Sequence, residues 1–230
     1  MRMHVTRWMT WTVALVLAVA APAVRAEDKA EDKEAKRLED ARQSFVELTQ
    51  VKEGIPRDLL DKSRCIAVFP EVIKGALGWG GRHGKGVMSC RMADGSWGPP
   101  IFLTISGGSF GLQIGVEKTE LVLFFMNDKA ASSLLESKFT LGGKGSVAAG
   151  PYGRSAEAET DLKLNAEIYS YAKSKGAFAG ISLEGSSLHP DNDALHRFYG
   201  ASATPKAVLL EGKAPKRPPA IGRFTEVLPR

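Results

Sequence analysis

Residues 75–115, GALGWGGRHGKGVMSCRMADGSWGPPIFLTISGGSFGLQIG, limit what this chain can fold into more than any other stretch. They hold twelve of its 24 glycines, interleaved with Trp79, Trp97 and short runs of β-forming residues. A flexible linker does not mix glycine with tryptophan and isoleucine in this way. A compact, sharply curved sheet does, because glycine admits bulges, bends and close approach of neighbouring backbones.

The flanking segments extend the same pattern. Cys65-Ile66-Ala67-Val68-Phe69 predicts a strand that ends at Pro70, and Gly86 to Arg91 predicts another. Asp94-Gly95 marks a turn before Trp97. Ile101, Leu103 and Ile105 alternate with Phe102, Thr104 and Ser106, which is strand periodicity. Leu121-Val122-Leu123-Phe124-Phe125-Met126 is apolar on both faces and predicts a central strand. Further strands are expected over 139–149, 161–171 and 177–183. Helices enter only at the margins. Leu38, Ala41, Phe45 and Leu48 return at helical spacing, a short helix is expected from Pro56, and Asn127-Asp128 and Asp191 supply N-caps for two more. The expected fold class is α+β: a glycine-rich, mainly antiparallel β-sheet or partly closed barrel with flanking short helices.

Residues 1–26 read as a signal peptide, with a basic start at Arg2 and Arg7, an apolar run over 11–21 and small residues before position 27. That run is short for a bilayer crossing, which needs about 20 residues. The reading makes the protein exported, in the periplasm and cell envelope, with peripheral membrane association. Without residues 1–26, which hold three of the 31 basic residues and none of the 26 acidic ones, the formal charge falls from +5 to +2. So small an excess does not call for nucleic acid. Residues 27–37 are expected as a flexible charged segment, frayed or forming an exposed helical start, 38–200 as the domain and 201–230 as a loosely held basic, proline-containing tail. Export permits a disulfide between Cys65 and Cys90; two buried thiols are the alternative.

Catalytic patterns are weak. Gly107-Gly108-Ser109-Phe110-Gly111 matches G-x-S-x-G, but that motif needs a strand-to-helix turn at the serine. The residues after Ser109 continue a strand instead, so a serine hydrolase is the least favoured reading. Gly142-Gly143-Lys144-Gly145-Ser146 lacks the spacing of a phosphate loop. His83, His189 and His196 form no metal-ligand pair. No catalytic, metal or cofactor residues are expected, and the protein is read as not an enzyme.

An ordered series of motifs does carry information. Cys65-Ile66-Ala67-Val68-Phe69-Pro70, then Gly80-Gly81-Arg82-His83-Gly84-Lys85-Gly86-Val87, Asp94-Gly95-Ser96-Trp97 and Gly107 to Gly115 are followed by SVAAGPYGR, AEIYSYAKSKGAFAGISLEG and Arg197-Phe198-Tyr199-Gly200. Over residues 38–200 this series resembles the bacterial lipid-binding SYLF domain family. The resemblance implies a non-enzymatic module that binds lipid, with an anionic phospholipid as the expected partner. It also implies lipid contact through an amphipathic N-terminal helix, whose nearest equivalent is residues 38–48. On that reading Leu38, Phe45 and Leu48 enter the bilayer while Arg82, Lys85, Lys144 and Arg154 meet headgroups; the spacing by itself is met equally by ordinary packing of this helix against the sheet, which is the preferred reading of the helix taken alone. The alternative is a cell-envelope structural or protein-interaction module.

Overall fold

The computed structural model describes residues 21–50, 55–77, 79–110, 115–136, 139–142, 147–150, 166–174, 177–180, 183 and 185–230. The sheet grows outward from β1 (Cys65–Leu77), whose first five residues are all buried. β2 (Trp79–Cys90) and β4 (Gly115–Phe125) pair with it antiparallel on either side. β3 (Ile101–Phe110) continues beyond β2, followed by β9 (Ser187–Pro190) and the two-residue β5 (Phe139–Thr140). On the other side β7 (Ile168–Ser174) pairs with β4. The outer edge of β7 is shared by parallel β6 (Val147–Ala149) and antiparallel β8 (Ala177–Gly180). The expected α+β class holds: the sheet is curled and mostly antiparallel, a half-barrel flanked by short helices.

Two local features explain how β1 reaches thirteen residues when Pro70 was expected to end it. Proline cannot donate to a ladder, and its strand positions are edges or bulges. Here the register with β2 shifts between Val68 and Glu71, and that with β4 shifts between Phe69 and Val72. The bulge absorbs Pro70 and pairing resumes through the glycines. Opposite it stands Gly86, where a Cβ would lie 2.5 Å from both Phe69 Cδ1 and the Val68 carbonyl oxygen. Cys65 and Cys90 face each other in register and are joined by a disulfide.

α1 (Ala21–Thr49) lies against β1 and β2 and buries Leu38, Ala41, Phe45 and Leu48, the seam anticipated from its spacing. It starts well before residue 38. The segment 27–37 is helical, and its Glu34 and Arg37 are buried. α2 (Arg57–Lys62) leads into β1. α3 (Asp128–Glu136) is capped by Asn127, whose Oδ1 accepts from the Ala130 amide at 2.8 Å. α4 (Asn192–Tyr199) is capped by Asp191 and turns Leu195, Phe198 and Tyr199 inward.

The expected loose tail is folded. α5 (Pro205–Glu211) starts at a Thr204 cap with Pro205 in its first turn and ends at the left-handed Gly212. α6 (Pro219–Thr225) packs on α1. Val208, Leu209, Ile221, Phe224 and Leu228 are buried. The Pro229 carbonyl accepts from Trp97 Nε1 at 2.6 Å and from Arg91 Nη2 at 3.0 Å. Among the described residues no helix is long and apolar enough to cross a membrane.

Candidate lipid-contact surface

Alternation along the strands sorts side chains onto two faces of the sheet. One face lies under α1 and α4: Arg37 stands over the Phe102 ring at 5.2 Å, Phe198 packs edge-on to Phe102, and Lys173 of β7 pairs with Glu47 at 3.0 Å. The same face continues beyond these helices to the far ends of β1, β2, β3 and β4.

Leu38, Phe45 and Leu48 do not offer themselves to a bilayer. Their exposures are 0%, 1% and 0%, because the α1 seam is filled by the sheet. Burying an amphipathic helix on its own domain satisfies the same periodicity that a membrane would satisfy. Lys85 is also engaged, pairing with Asp191 at 3.0 Å. Arg82 is half-buried and donates to Ser186 Oγ at 2.9 Å. Burial lowers its pKa, and the Glu117 carboxylate opposes that shift. Lys144 and Arg154 lie outside the described residues.

Asp191 is the centre of an ion network that joins three elements. It accepts Lys85 of β2 and, at 3.2 Å, Arg37 of α1. Arg37 also meets Glu34 at 2.8 Å, a contact of opposite charges without hydrogen-bond alignment. Arg197 of α4 reaches the other Glu34 oxygen at 2.8 Å. Burial pushes the Asp191 carboxyl upward. The Lys85 bond, the Ala194 amide and the charges of Lys85 and Arg37 more than offset this and hold it below the usual carboxylate range.

The apolar surface that does reach solvent lies elsewhere, and periodicity could not find it. Ile73 and Val116 are the large hydrophobic side chains left exposed among the described residues, at 39% and 74%. Ile73 stands opposite His83 on β2 and Lys118 on β4. In the next row Gly75 stands opposite Gly81 and Val116, and Gly81 opposite Gly108. A Cβ on Gly75 or Gly108 would meet nothing within 4 Å. The result is a bare strip of paired backbone with Val116 at one end and Ile73 beside it. Lys118 and His83 are exposed around the strip, and Glu71 pairs with Lys118 at 2.6 Å.

Hydrolase geometry is missing where the motif would need it. Ser109 lies within β3, its backbone paired with Gly80, not at a strand-to-helix elbow. His196 is exposed on α4, and His189 lies on β9. Among the described residues no group of three or more His, Cys, Asp or Glu could hold a metal.

Comparison with known proteins supplies the setting. Residues 106–230 match the Ysc84 family model, described as "Las17-binding protein actin regulator". The chain is 37% identical over 191 residues to LAS seventeen-binding protein 3 of Saccharomyces cerevisiae, covering 80% of this chain and 41% of that protein. It is 36% identical over 201 residues to yeast Protein YSC84, covering 85% and 42%. It is 35% identical over 171 residues to human SH3 domain-containing YSC84-like protein 1, covering 72% and 49%. The chain therefore spans half or less of the length of these three relatives. None of them is named as an enzyme. The relatives correct the setting read from residues 1–26. A signal-bearing, periplasmic or otherwise exported cell-envelope protein of a bacterial branch conflicts with matches to yeast and vertebrate proteins named for Las17 binding and SH3 domains.

Proposed function

The chain belongs to the SYLF/Ysc84 family, and from that premise we propose that it is a peripheral lipid-binding module whose contact with anionic phospholipid is made by the far ends of β1 to β4. The observation that carries this reading is the exposed pair Ile73 and Val116 beside Lys118 and His83. A bilayer interface takes up aliphatic side chains at the level of the acyl boundary and meets cations with headgroup phosphates. The glycine strip lets the sheet surface approach without intervening side chains, and its backbone groups are held in the ladders.

Magnitudes place the contact at the weak end. Full burial of an aliphatic side chain contributes about 1.5–3 kcal/mol. Two partly exposed ones contribute about 2 kcal/mol together, and Lys118, shared with Glu71, adds no more than about 1 kcal/mol at an anionic surface. The total corresponds to a dissociation constant of roughly millimolar order, so attachment is reversible and gains from several copies or a second anchor.

Vesicle co-sedimentation tests the reading. The chain is expected to bind vesicles of phosphatidylcholine with phosphatidylglycerol, and the Ile73→Glu/Val116→Glu double variant is expected to lose that binding while its thermal melt stays close to the parent's. Equal binding by the double variant refutes the assignment of this surface.

A second reading rests on the relatives' names. If the chain shares the Las17-binding or actin-regulating role those names describe, it is a protein-interaction module. Saturable co-sedimentation with actin filaments, together with a flat vesicle titration, supports that reading over the first.

A further inference from the structure

On the sheet face turned away from α1, Arg82 stands in a frame of missing side chains. Two positions away along β2, on the same face, are Gly80 and Gly84. Directly across on β3 is Gly107, and across on β1 is Lys74. Gly107 serves a close approach: a Cβ there would lie 3.0 Å from Ser186 Cα. The chain before β9 can therefore press against β3, and Ser186, 1% exposed, brings its hydroxyl to Arg82 at 2.9 Å.

The partners of Arg82 are too few for its chemistry. A guanidinium carries five N–H donors in a planar fork. Among the described residues its one hydrogen-bond acceptor is a neutral hydroxyl, and no carboxylate lies within the 4.0 Å of an ion pair. Arg37, Arg64 and Arg197 each have such a carboxylate. The nearest acidic group by register, Glu117, lies beyond Lys74 and accepts from Ser174 Oγ at 2.6 Å. Glu117 acts on Arg82 only from beyond ion-pair distance and does not fully offset its burial, so the half-buried guanidinium is under-compensated and an anion from solution completes its pairing.

We propose that Arg82, with Lys74 and the Ser186 hydroxyl, forms a binding site for a phosphate-class anion, either free phosphate or the phosphate of a lipid headgroup. The guanidinium fork matches two phosphate oxygens. The Ser186 hydroxyl, released from accepting, turns to donate to a third oxygen, and Lys74 supplies a second charge. This site is on the opposite face from Ile73 and Val116 and does not depend on the membrane contact made there.

The test is a titration of the isotope-labelled full chain, followed by amide and guanidinium resonances, with inorganic phosphate and separately with glycerol 3-phosphate; chloride at matched ionic strength is the control. Saturable shifts are expected at Gly81, His83, Gly107 and Ser186. Arg82→Gln is expected to abolish them, and Lys74→Gln to weaken binding about tenfold, the effect of about 1.4 kcal/mol. Ile73→Glu/Val116→Glu is expected to leave them unchanged, which separates this site from the membrane surface. If Arg82→Gln fails to fold, Arg82→Lys keeps the charge, loses the fork, and is expected to weaken binding. Displacement of bound phosphate by phosphatidylglycerol vesicles assigns the site to a headgroup, and retention of phosphate assigns it to the free anion. No saturable shift with either anion, or shifts that survive in both Arg82→Gln and Arg82→Lys, overturns the proposal.

Discussion

One added carbon at Gly86 would strike the Val68 carbonyl oxygen and the Phe69 ring at 2.5 Å. The oxygen belongs to backbone held in two ladders, so it cannot step aside as a flexible side chain would. Gly86→Ala is expected to destabilise the fold by about 1–3 kcal/mol, the usual cost of overpacking a filled site. Gly75→Ala, where the new carbon meets open space, is expected to stay within about 0.5 kcal/mol of the parent. Denaturant unfolding of the two variants checks the contrast; equal losses would mean that glycine serves the strands through backbone freedom alone. Composition could place both residues in a glycine-rich sheet. It could not distinguish them, because the difference lies in what packs opposite each one.

At the scale of elements, α1 is held by an apolar seam and by the Asp191 network. Asp191→Asn leaves Arg37, 8% exposed, and Lys85 without that carboxylate. Breaking a buried pair by removing one partner costs about 3 kcal/mol. The pH dependence follows from the depressed pKa of Asp191. A carboxyl whose folded pKa lies below its unfolded value contributes stability above about pH 3.9 and loses it as pH falls through the folded pKa. The stability gap between parent and Asp191→Asn is therefore expected to be full at neutral pH and to shrink in strong acid; urea melts across pH would show it, and a gap independent of pH would contradict it. The seam of α1 and the cap of α4 were legible because both rest on local spacing. Three features were not. Pro70 passes through β1 because a bulge takes it up, which depends on the registers of two partner strands. The helical start over residues 27–37 is not exposed throughout, because Glu34 and Arg37 are buried against partners on α4 and at its cap, far along the chain. The segment 201–230 reads as loose by its proline and basic content, yet Thr204-Pro205 and Pro218-Pro219 start helices, and Ile221, Phe224 and Leu228 return at helical spacing.

For the whole molecule, the question is which surface is free to meet lipid. The helix singled out by its amphipathic spacing has that face buried. Lifting α1 would expose Leu38, Phe45 and Leu48 at a cost of about 6 kcal/mol before a bilayer returned any of it, and would also break the ion network. The far ends of β1 to β4 require no such opening. Ile73 and Val116 are already in solvent, and their neighbourhood is visible only once strand register brings β1 beside β4. Labelling reports most directly on which surface is used. An environment-sensitive fluorophore on Val116→Cys, compared with one on Gln43→Cys at the exposed side of α1, can be read during titration with phosphatidylglycerol-containing vesicles. A blue shift at position 116 with little change at 43 is the predicted result; a shift at 43 with none at 116 would contradict it.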